Sequence, residues 1–340
     1  MAPIKFRKQM EKRYEIIRVR KERGQEVLDK VKDEGILDPN RLIIQEKDEL
    51  IIPVTRDGND IQEDIVFREE NKTPYDKIKE HLDFDEGLKE LLPDRWEVLG
   101  NVLLIKLPEE LIEYKERIGE VYADVLGCKT VLLQGRIEGI KRKPKVELIY
   151  GEETETIHIE NCIQYKMDTS KLMFSSGNID ERIRMANIDI EGEIIVDMFA
   201  GIGYFTLPMA YHGNPDTIHS LEINPISYEY LKENIKLNEV KDTVLTWNGD
   251  NRDFYKKDFA DRIVMGYLHN TWKYLHKALD FLNDTGIIHY HTLAEDENYP
   301  SNVKNEIKEN IDKEHTINNL RKIKSYAPHV FHVVVDVKIL

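Results

Sequence analysis

The residues with the clearest chemical potential form one run, I-I-V-D-M-F-A-G-I-G-Y-F, at positions 194–205. An apolar strand ends there on Asp197 and leads into a glycine turn that contains Gly201 and Gly203. Only glycine lets a ligand approach the main chain this closely, and the N-terminus of the following helix exposes backbone N–H groups beside the turn. The run therefore predicts a binding site for a cofactor that contains a nucleoside.

Further polar residues stand where the next two strands are expected to end. Glu222 follows Asp197 by 25 residues and can accept hydrogen bonds from both hydroxyls of a ribose. Asp250 and Asn251 end the third strand and suit the edge of an adenine ring. Because ligands of open α/β sheets bind outside the carboxyl ends of the strands, these side chains are expected to share one site. The alternative is that Asp197 caps a helix and the other acids belong to loops.

The form of the glycine turn discriminates between two cofactors. A dinucleotide-binding turn normally has a third glycine that packs its helix against the strand, but here that position is Thr206. The pattern Asp-x-Phe-x-Gly-x-Gly is instead that of transferases that use S-adenosyl-L-methionine (AdoMet). We therefore expect AdoMet as the group donor.

The segment after the fourth strand carries information about the reaction. Base N-methyltransferases commonly have an Asn/Asp-Pro-Pro motif there, which orients the nitrogen that is methylated. Residues 265–270 read M-G-Y-L-H-N and contain no proline, so methyl transfer to a base nitrogen lacks its usual positioning device.

Four residues are candidates for contact with an acceptor. Tyr267 and His269 occupy the place of the Asn-Pro-Pro motif and could stack on a base, although simple loop packing would also explain them. His289 and His291 end the expected fifth strand, where packing in the core is the alternative to catalysis.

Strand-like runs alternate with helix-like segments from about residue 178 onward, which predicts a mainly parallel sheet closed by a C-terminal hairpin. An acidic helical stretch and then K-I-K-S-Y-A-P-H separate the last two runs. The strand-like runs are Ile194–Val196, Thr217–Leu221, Val244–Trp247, Arg262–Met265, Gly286–His291 and Val330–Ile339.

Differences in composition and hydrophobic pattern divide the chain into three predicted domains. Residues 1–70 form a small basic α+β domain with a helix-like opening and a polar linker at 55–73. Residues 71–172 form an α+β domain for RNA or substrate, in which helical spacing and Gly127 predict a helix at 109–126 and Val98–Leu107 reads as a strand. Residues 173–340 form the cofactor-binding domain.

Composition limits the other functions. The 340 residues include two cysteines, too few for a disulfide framework or a four-ligand zinc site, and no metal, P-loop or hydrolytic motif is present. Without a signal peptide or an 18-residue apolar run, we expect a cytoplasmic protein. The net charge of −15 hides two basic runs: residues 1–23, with nine basic and three acidic residues, and K-R-K-P-K at 141–145. These are either solvated faces or a footprint for nucleic acid.

Taken in order, the motifs resemble the archaeal tRNA wybutosine-synthesising aminocarboxypropyltransferases, relatives of the tRNA guanine-37 methyltransferases. The resemblance covers residues 70–340, whereas residues 1–65 resemble the small N-terminal domain of the guanine-37 methyltransferases. The motifs are M-F-S-S-G-N-I-D-E-R-I-R-M-A, D-M-F-A-G-I-G, G-D-N-R-D-F, A-D-R-I-V-M-G-Y and S-Y-A-P-H-V-F-H-V-V-V-D.

The resemblance implies a class I AdoMet-dependent transferase with a Rossmann-like, seven-stranded, mainly parallel sheet. It implies transfer of the 3-amino-3-carboxypropyl group of AdoMet to a tricyclic guanosine derivative at position 37 of tRNA(Phe), within wybutosine biosynthesis. A monomer that binds the anticodon region is expected. The AdoMet contacts carried over are Ser175, Arg182, Glu222, Asp250 and Asn251.

Arg182 is the most informative of these residues. Asn178 and Glu181 have the spacing of a capping box, which would place the Arg182 guanidinium early in a helix and free to clamp a carboxylate. A surface ion pair with Glu181 or Asp180 is the alternative.

Two other functions stay open at this point. One is a guanine-37 N1-methyltransferase, which the N-terminal residues favour and the segment M-G-Y-L-H-N disfavours. The other is a non-catalytic module that binds tRNA or AdoMet.

Overall fold

The structure, a computed structural model, describes residues 14–62, 72–135 and 146–340. The chain divides into two compact units, Met1–Lys77 and Ile78–Leu340, each described here by itself. The division into three domains at 70 and 172 stays a prediction. In the described residues no helix is long and apolar enough to cross a membrane.

The first unit is an antiparallel sheet with one packed helix. Its strand order is β2-β3-β1-β4, and Val31 of the helix packs with Ile52 of β3. The elements are β1 (Tyr14–Arg20), α1 (Gly24–Asp33), β2 (Ile44–Glu46), β3 (Glu49–Pro53) and β4 (Asp60–Gln62), and α2 (Pro74–His81) spans the division between the units.

Two expectations for this unit are wrong. The helix-like opening is a strand from residue 14 onward, because alternate residues such as Ile16 face the core. The polar linker contains β4, which extends the sheet by pairing with β1. Residues 1–13 and 63–71 lie outside the described residues.

The second unit begins with a four-stranded sheet and a separate hairpin. The predicted helix at 109–126 is present, with a 3₁₀ turn over its first six residues and Gly127 ending it at φ 69°. The predicted strand Val98–Leu107 is two strands joined by a turn at Gly100. The elements are α3 (Glu86–Glu90), β5 (Glu97–Leu99), β6 (Val102–Ile105), α4 (Lys115–Leu126), β7 (Thr130–Gln134), β8 (Val146–Tyr150), β9 (Glu155–Glu160) and β10 (Ile163–Asp168).

The rest of the unit is a seven-stranded sheet in the order β13-β12-β11-β14-β15-β17-β16. Neighbours are parallel from β13 to β15, while β17 runs antiparallel to β15 and β16, so the predicted fold class is confirmed. The elements are α5 (Ile179–Ala186), β11 (Ile194–Asp197), α6 (Thr206–His212), β12 (Thr217–Glu222), α7 (Pro225–Leu237), β13 (Val244–Asn248), β14 (Ala260–Met265), α8 (Leu275–Phe281), β15 (Leu282–Glu295), α9 (Ser301–Asn310), β16 (His315–Ala327) and β17 (Val330–Ile339).

Apolar cores cover both faces of this sheet. Neighbouring residues of one strand serve different cores: Ile195 packs with α6 and α7, whereas Val196 packs with α8 and α9. This burial on both faces explains why the central strands are continuous apolar runs, and it leaves their carboxyl ends as the open edge of the sheet.

Candidate active site

Glu222 links the end of β12 to the glycine turn after β11. Its Oε2 accepts a hydrogen bond from the backbone N–H of Gly201 at 2.7 Å, and its Oε1 accepts one from the N–H of Asn224 at 2.7 Å. Burial raises the pKa of this carboxyl, against the backbone N–H groups that favour its ionised form. Each oxygen keeps a second lone pair, which suits the two hydroxyls of a ribose.

The glycine turn has the backbone that its sequence requires. Gly201 and Gly203 have φ values of 58° and 104°. A Cβ on Gly203 would stand 2.6 Å from Cγ of Leu207, so a side chain would be both strained and obstructed.

Asp197 holds the start of α6. It is fully buried, and its Oδ2 accepts a hydrogen bond from Thr206 Oγ1 at 2.8 Å while Oδ1 accepts one from Phe199 N at 3.3 Å. Burial, with Glu222 nearby, raises its pKa to about 6. Thr206, at the position of the missing third glycine, is therefore part of the link between strand and helix, and both oxygens of Asp197 serve the local structure.

Asn251 and Asp250 behave differently from each other. The Asn251 side chain is 5% exposed, and its Nδ2 donates to Met198 O at 2.9 Å, while its Oδ1 is buried and has no partner among the described residues. Asp250 accepts from the backbone N–H of Arg252 at 3.0 Å and from its Nε at 2.9 Å, and this pairing lowers the pKa of the carboxyl. An orphaned amide oxygen after β13, the strand next to the one that ends on Glu222, fits the edge of an adenine ring.

Arg182 is not free, contrary to the prediction, and it is not on the surface either. Its side chain is 2% exposed, and Nε and Nη2 bind both carboxylate oxygens of Glu160 on β9 at 2.5 and 2.6 Å. Nη1 donates to the backbone O of Ser175 at 3.0 Å, and the guanidinium lies 4.6 Å from the ring centre of Phe174. Arg182 therefore supports the segment that contains Ser175, whose hydroxyl accepts from Lys324 of β16.

The predicted capping box is also absent. Asn178 precedes α5 without a side-chain cap. Glu181 is fully buried and binds Arg184 at 2.6 Å and Arg321 of β16, because two guanidinium groups compensate its burial better than one backbone N–H would.

The two histidines of β15 lie inside the protein. His289 is 2% exposed, with Nδ1 2.5 Å from Asp336 Oδ1 and Nε2 2.8 Å from Nη1 of Arg262. Both of its nitrogens are engaged, so it has none to offer an acceptor, and the packing alternative holds. His291 is 1% exposed and pairs with His332 at 3.0 Å, while its Nε2 has no partner among the described residues.

An aromatic chain of five residues lies beside the glycine turn. Tyr267 stacks on Phe199 with ring centres 5.0 Å apart and an interplanar angle of 15°, and Tyr274 meets the edge of Phe199 at 5.1 Å. His269 lies 6.1 Å from Tyr267 and 5.8 Å from Tyr326. The structure thus joins the two predicted loop residues, Tyr267 and His269, with three that the site prediction missed.

Some of the predicted features cannot be placed. Of the basic runs, residues 1–13 and 141–145 lie outside the described residues. Within the described ranges, no group of three or more His, Cys, Asp or Glu side chains could hold a metal ion.

Comparison with known proteins places three family models along the chain. The model of the TRM5/TYW2 methyltransferase domain matches residues 156–318. The TYW2 N-terminal domain matches residues 78–154, and the tRNA methyltransferase 5 N-terminal domain matches residues 17–62.

Individual relatives agree with these matches. The chain is 46% identical over 269 residues to the tRNA(Phe) (4-demethylwyosine(37)-C(7)) aminocarboxypropyltransferase of Pyrococcus horikoshii, covering 77% of this chain and 96% of the relative. The crystal structure of P. horikoshii TYW2 in complex with MeSAdo has a TM-score of 0.72 at 43% identity, covering 78% and 99% of the two chains. The crystal structure of Trm5b from Pyrococcus abyssi has a TM-score of 0.78 at 31% identity, covering 95% and 98%.

Proposed function

The chain belongs to the TRM5/TYW2 family of tRNA-modifying transferases, and from this membership and its site we propose a reaction for it. It transfers the 3-amino-3-carboxypropyl group of AdoMet to C7 of 4-demethylwyosine at position 37 of tRNA(Phe). When bound, AdoMet supplies an electrophilic carbon beside its sulfonium; C7 bonds to this carbon and loses a proton, and the C–S electron pair stays on the sulfur of methylthioadenosine.

The observation that carries the proposal is the pairing of Glu222 with the glycine turn. Its carboxylate is fixed by Gly201 N and Asn224 N at 2.7 Å each, which holds it ready for ribose hydroxyls. The unpaired Oδ1 of Asn251 supplies an acceptor for the adenine amino group. Arg182 and Ser175 shape the segment expected to receive the methionine arm.

The loop after β14 supports transfer of the arm over transfer of the methyl group. Where methyltransferases of base nitrogens have a proline motif, this chain has Gly266 followed by Tyr267, whose ring is occupied by stacking on Phe199. A sulfonium has three carbons open to attack, so the pose of the donor relative to the acceptor decides which group moves.

A double-label experiment tests the reaction. The protein is incubated with tRNA(Phe) that carries 4-demethylwyosine and with AdoMet labelled either in the methyl group or in the carboxyl carbon. We expect carboxyl label in the RNA and no methyl label. Methyl label alone would refute the proposal, and the absence of both labels would leave a binding function.

Guanine-37 N1-methylation is the second candidate function. The match of residues 17–62 to the tRNA methyltransferase 5 N-terminal domain favours it. The same assay with tRNA(Phe) that has unmodified guanine at position 37 separates the two, because an N1-methyltransferase would put methyl label into that RNA.

The remaining features of this function are proposals as well. The enzyme would bind the anticodon region of the tRNA, since position 37 lies beside the anticodon, and act as a monomer in the cytoplasm. Unmodified and truncated tRNA(Phe) in a binding competition would locate the region, and sedimentation would give the oligomeric state.

A further inference from the structure

Tyr326 occupies an unusual place in the C-terminal hairpin. The pairing of β16 with β17 shifts between Ser325, opposite Phe331, and Ala327, opposite Val330, so Tyr326 has no opposite residue in the ladder. Such an irregularity bends a strand and redirects one side chain, and irregularities of this kind are frequent next to active sites. The side chain of Tyr326 is 40% exposed although it is a large aromatic.

The redirected ring is held against the loop after β14. The Tyr326 hydroxyl lies 3.2 Å from Nε2 of His269, and the two rings meet at 72° with centres 5.8 Å apart. His269 in turn stands at 78° to Tyr267. Two separate elements, a loop and a hairpin, therefore build one aromatic surface with an exposed end.

The other end of this surface is anchored to the cofactor turn. Tyr267 stacks on Phe199, and Phe199 donates its backbone N–H to Asp197 at the end of β11. Contacts between rings thus connect the glycine turn to the exposed rings of His269 and Tyr326. The aromatic surface extends from this turn toward solvent.

We propose that Tyr326 and His269 form the surface on which the acceptor base stacks, and that they make the enzyme select an extended ring system over guanine. The inference rests on the proposed function, because it assigns the acceptor side of the same site. The two rings stand at 72° to each other, so a base that stacks on the face of Tyr326 meets His269 at its edge, and a tricyclic base, which is longer than a purine, can make both contacts at once. An exposed phenol and imidazole suit a nucleobase, which has both an apolar face and polar edges.

The test compares the binding of two tRNAs by the wild type and by variants of Tyr326. Dissociation constants are measured at one salt concentration for tRNA(Phe) with 4-demethylwyosine and for the same tRNA with guanine at position 37. In Tyr326→Ala we expect binding of the tricyclic tRNA to weaken about tenfold, and binding of the guanine tRNA about twofold at most. Tyr326→Phe keeps the ring and is expected to keep most of the preference.

Tyr255 provides the matched control. It is a tyrosine of the same unit, 80% exposed and outside the aromatic chain, so Tyr255→Ala is expected to bind both tRNAs like the wild type. AdoMet affinity reports the integrity of the cofactor site and is expected to stay unchanged in all three variants. Equal weakening for both tRNAs, no weakening for either, or loss of AdoMet binding in Tyr326→Ala would overturn the inference.

Different measurements would contradict the proposed reaction and the proposed selection of the base. Methyl label in the double-label experiment with the wild type would refute the reaction, whatever the affinities are. Loss of base selection is seen in the binding constants alone, and those do not depend on which group is transferred.

Discussion

At the scale of single residues, we expect Arg182 to serve the cofactor site through its buried ion pair with Glu160 and not through direct contact with the ligand. Its bond to Glu160 and its contact with Ser175 O place it under the binding segment. A buried pair that loses one partner leaves an uncompensated charge, at a cost of about 3 kcal/mol or more. The pair as a whole is therefore expected to position Ser175.

This positioning role predicts that both partners matter equally to the cofactor. Arg182→Ala and Glu160→Gln are each expected to weaken AdoMet binding about tenfold, measured by calorimetry, because either change releases the segment at Ser175. Had Arg182 bound the AdoMet carboxylate directly, Glu160→Gln would leave the affinity near that of the wild type. That result would contradict the positioning role.

Glu193 offers the control for this pair. It binds Nε and Nη2 of Arg262 at 2.6 and 2.7 Å, the same bidentate arrangement, at the opposite, amino end of the central strands. Glu193→Gln is expected to lower the melting temperature as Glu160→Gln does, while AdoMet affinity stays unchanged.

The residues that sequence could predict are those whose role follows from local position. Glu222 binds the turn at Gly201 because the ends of neighbouring parallel strands meet, and strand ends can be read from apolar runs. The partner of Arg182 could not be read in this way, since Glu160 belongs to a hairpin that precedes the domain assigned to the site. Tyr326 stands in the motif S-Y-A-P-H-V-F-H-V-V-V-D, but its contact with His269 depends on the fold of the hairpin.

At the scale of elements, the junction of β11 and α6 contains an acid that is costly to ionise. Burial raises the pKa of Asp197 to about 6, above the ordinary value near 3.9. The folded protein therefore holds this proton to higher pH than the unfolded chain does. The contribution of Asp197 to stability is greatest below about pH 4 and is lost as pH rises through 6.

Replacing Asp197 by its amide is expected to give a pH-dependent gain in the free energy of unfolding. Asp197→Asn cannot ionise, so its stability relative to the wild type is expected to rise between pH 4 and 6, by up to about 3 kcal/mol, and then to stay level. Melting temperatures across this range measure the difference, and any constant offset reflects the lost hydrogen bond to Phe199. Asp216→Asn, a change of an exposed acid, is the control, and a parallel course of the two variants would contradict the prediction.

Strands with many buried residues could be predicted from the sequence, whereas exposed strands could not. Val330–Ile339 has the bounds expected from its apolar run, since alternate positions such as Val333 and Val335 are fully enclosed. A C-terminal hairpin was expected, but the residues of its first strand, β16, were not among the strand-like runs, because a strand at the edge of the sheet carries charged residues such as Arg321 and Lys322 and has no fully buried position. The helix-like reading of β1 followed from its charged residues, which mask the core-facing position of Ile16.

At the scale of the whole molecule, the distribution of charge has to reconcile an acidic protein with a polyanionic substrate. The net charge of −15 repels RNA at long range, whereas residues 1–23 and 141–145 are locally basic. Part of the first run falls in the segment that matches the tRNA methyltransferase 5 N-terminal domain. We therefore propose that tRNA contacts concentrate on these two runs and avoid most of the remaining surface.

This division of charge predicts a site-specific effect on the salt dependence of binding. Each phosphate neutralised by a lysine contributes roughly 0.7–0.9 to the slope of log affinity against log salt. Reversing two charges in Lys141→Glu/Lys143→Glu is expected to weaken tRNA binding and to reduce this slope by about 1–2, in titrations between low and moderate salt. The control variant Lys236→Glu/Lys241→Glu makes the same change in net charge at two exposed lysines, one near the end of α7 and one shortly after it. It is expected to leave the slope unchanged. Because both variants add the same negative charge, equal slopes in the two would show that the RNA senses only the overall field, and the proposed contact at 141–145 would be wrong.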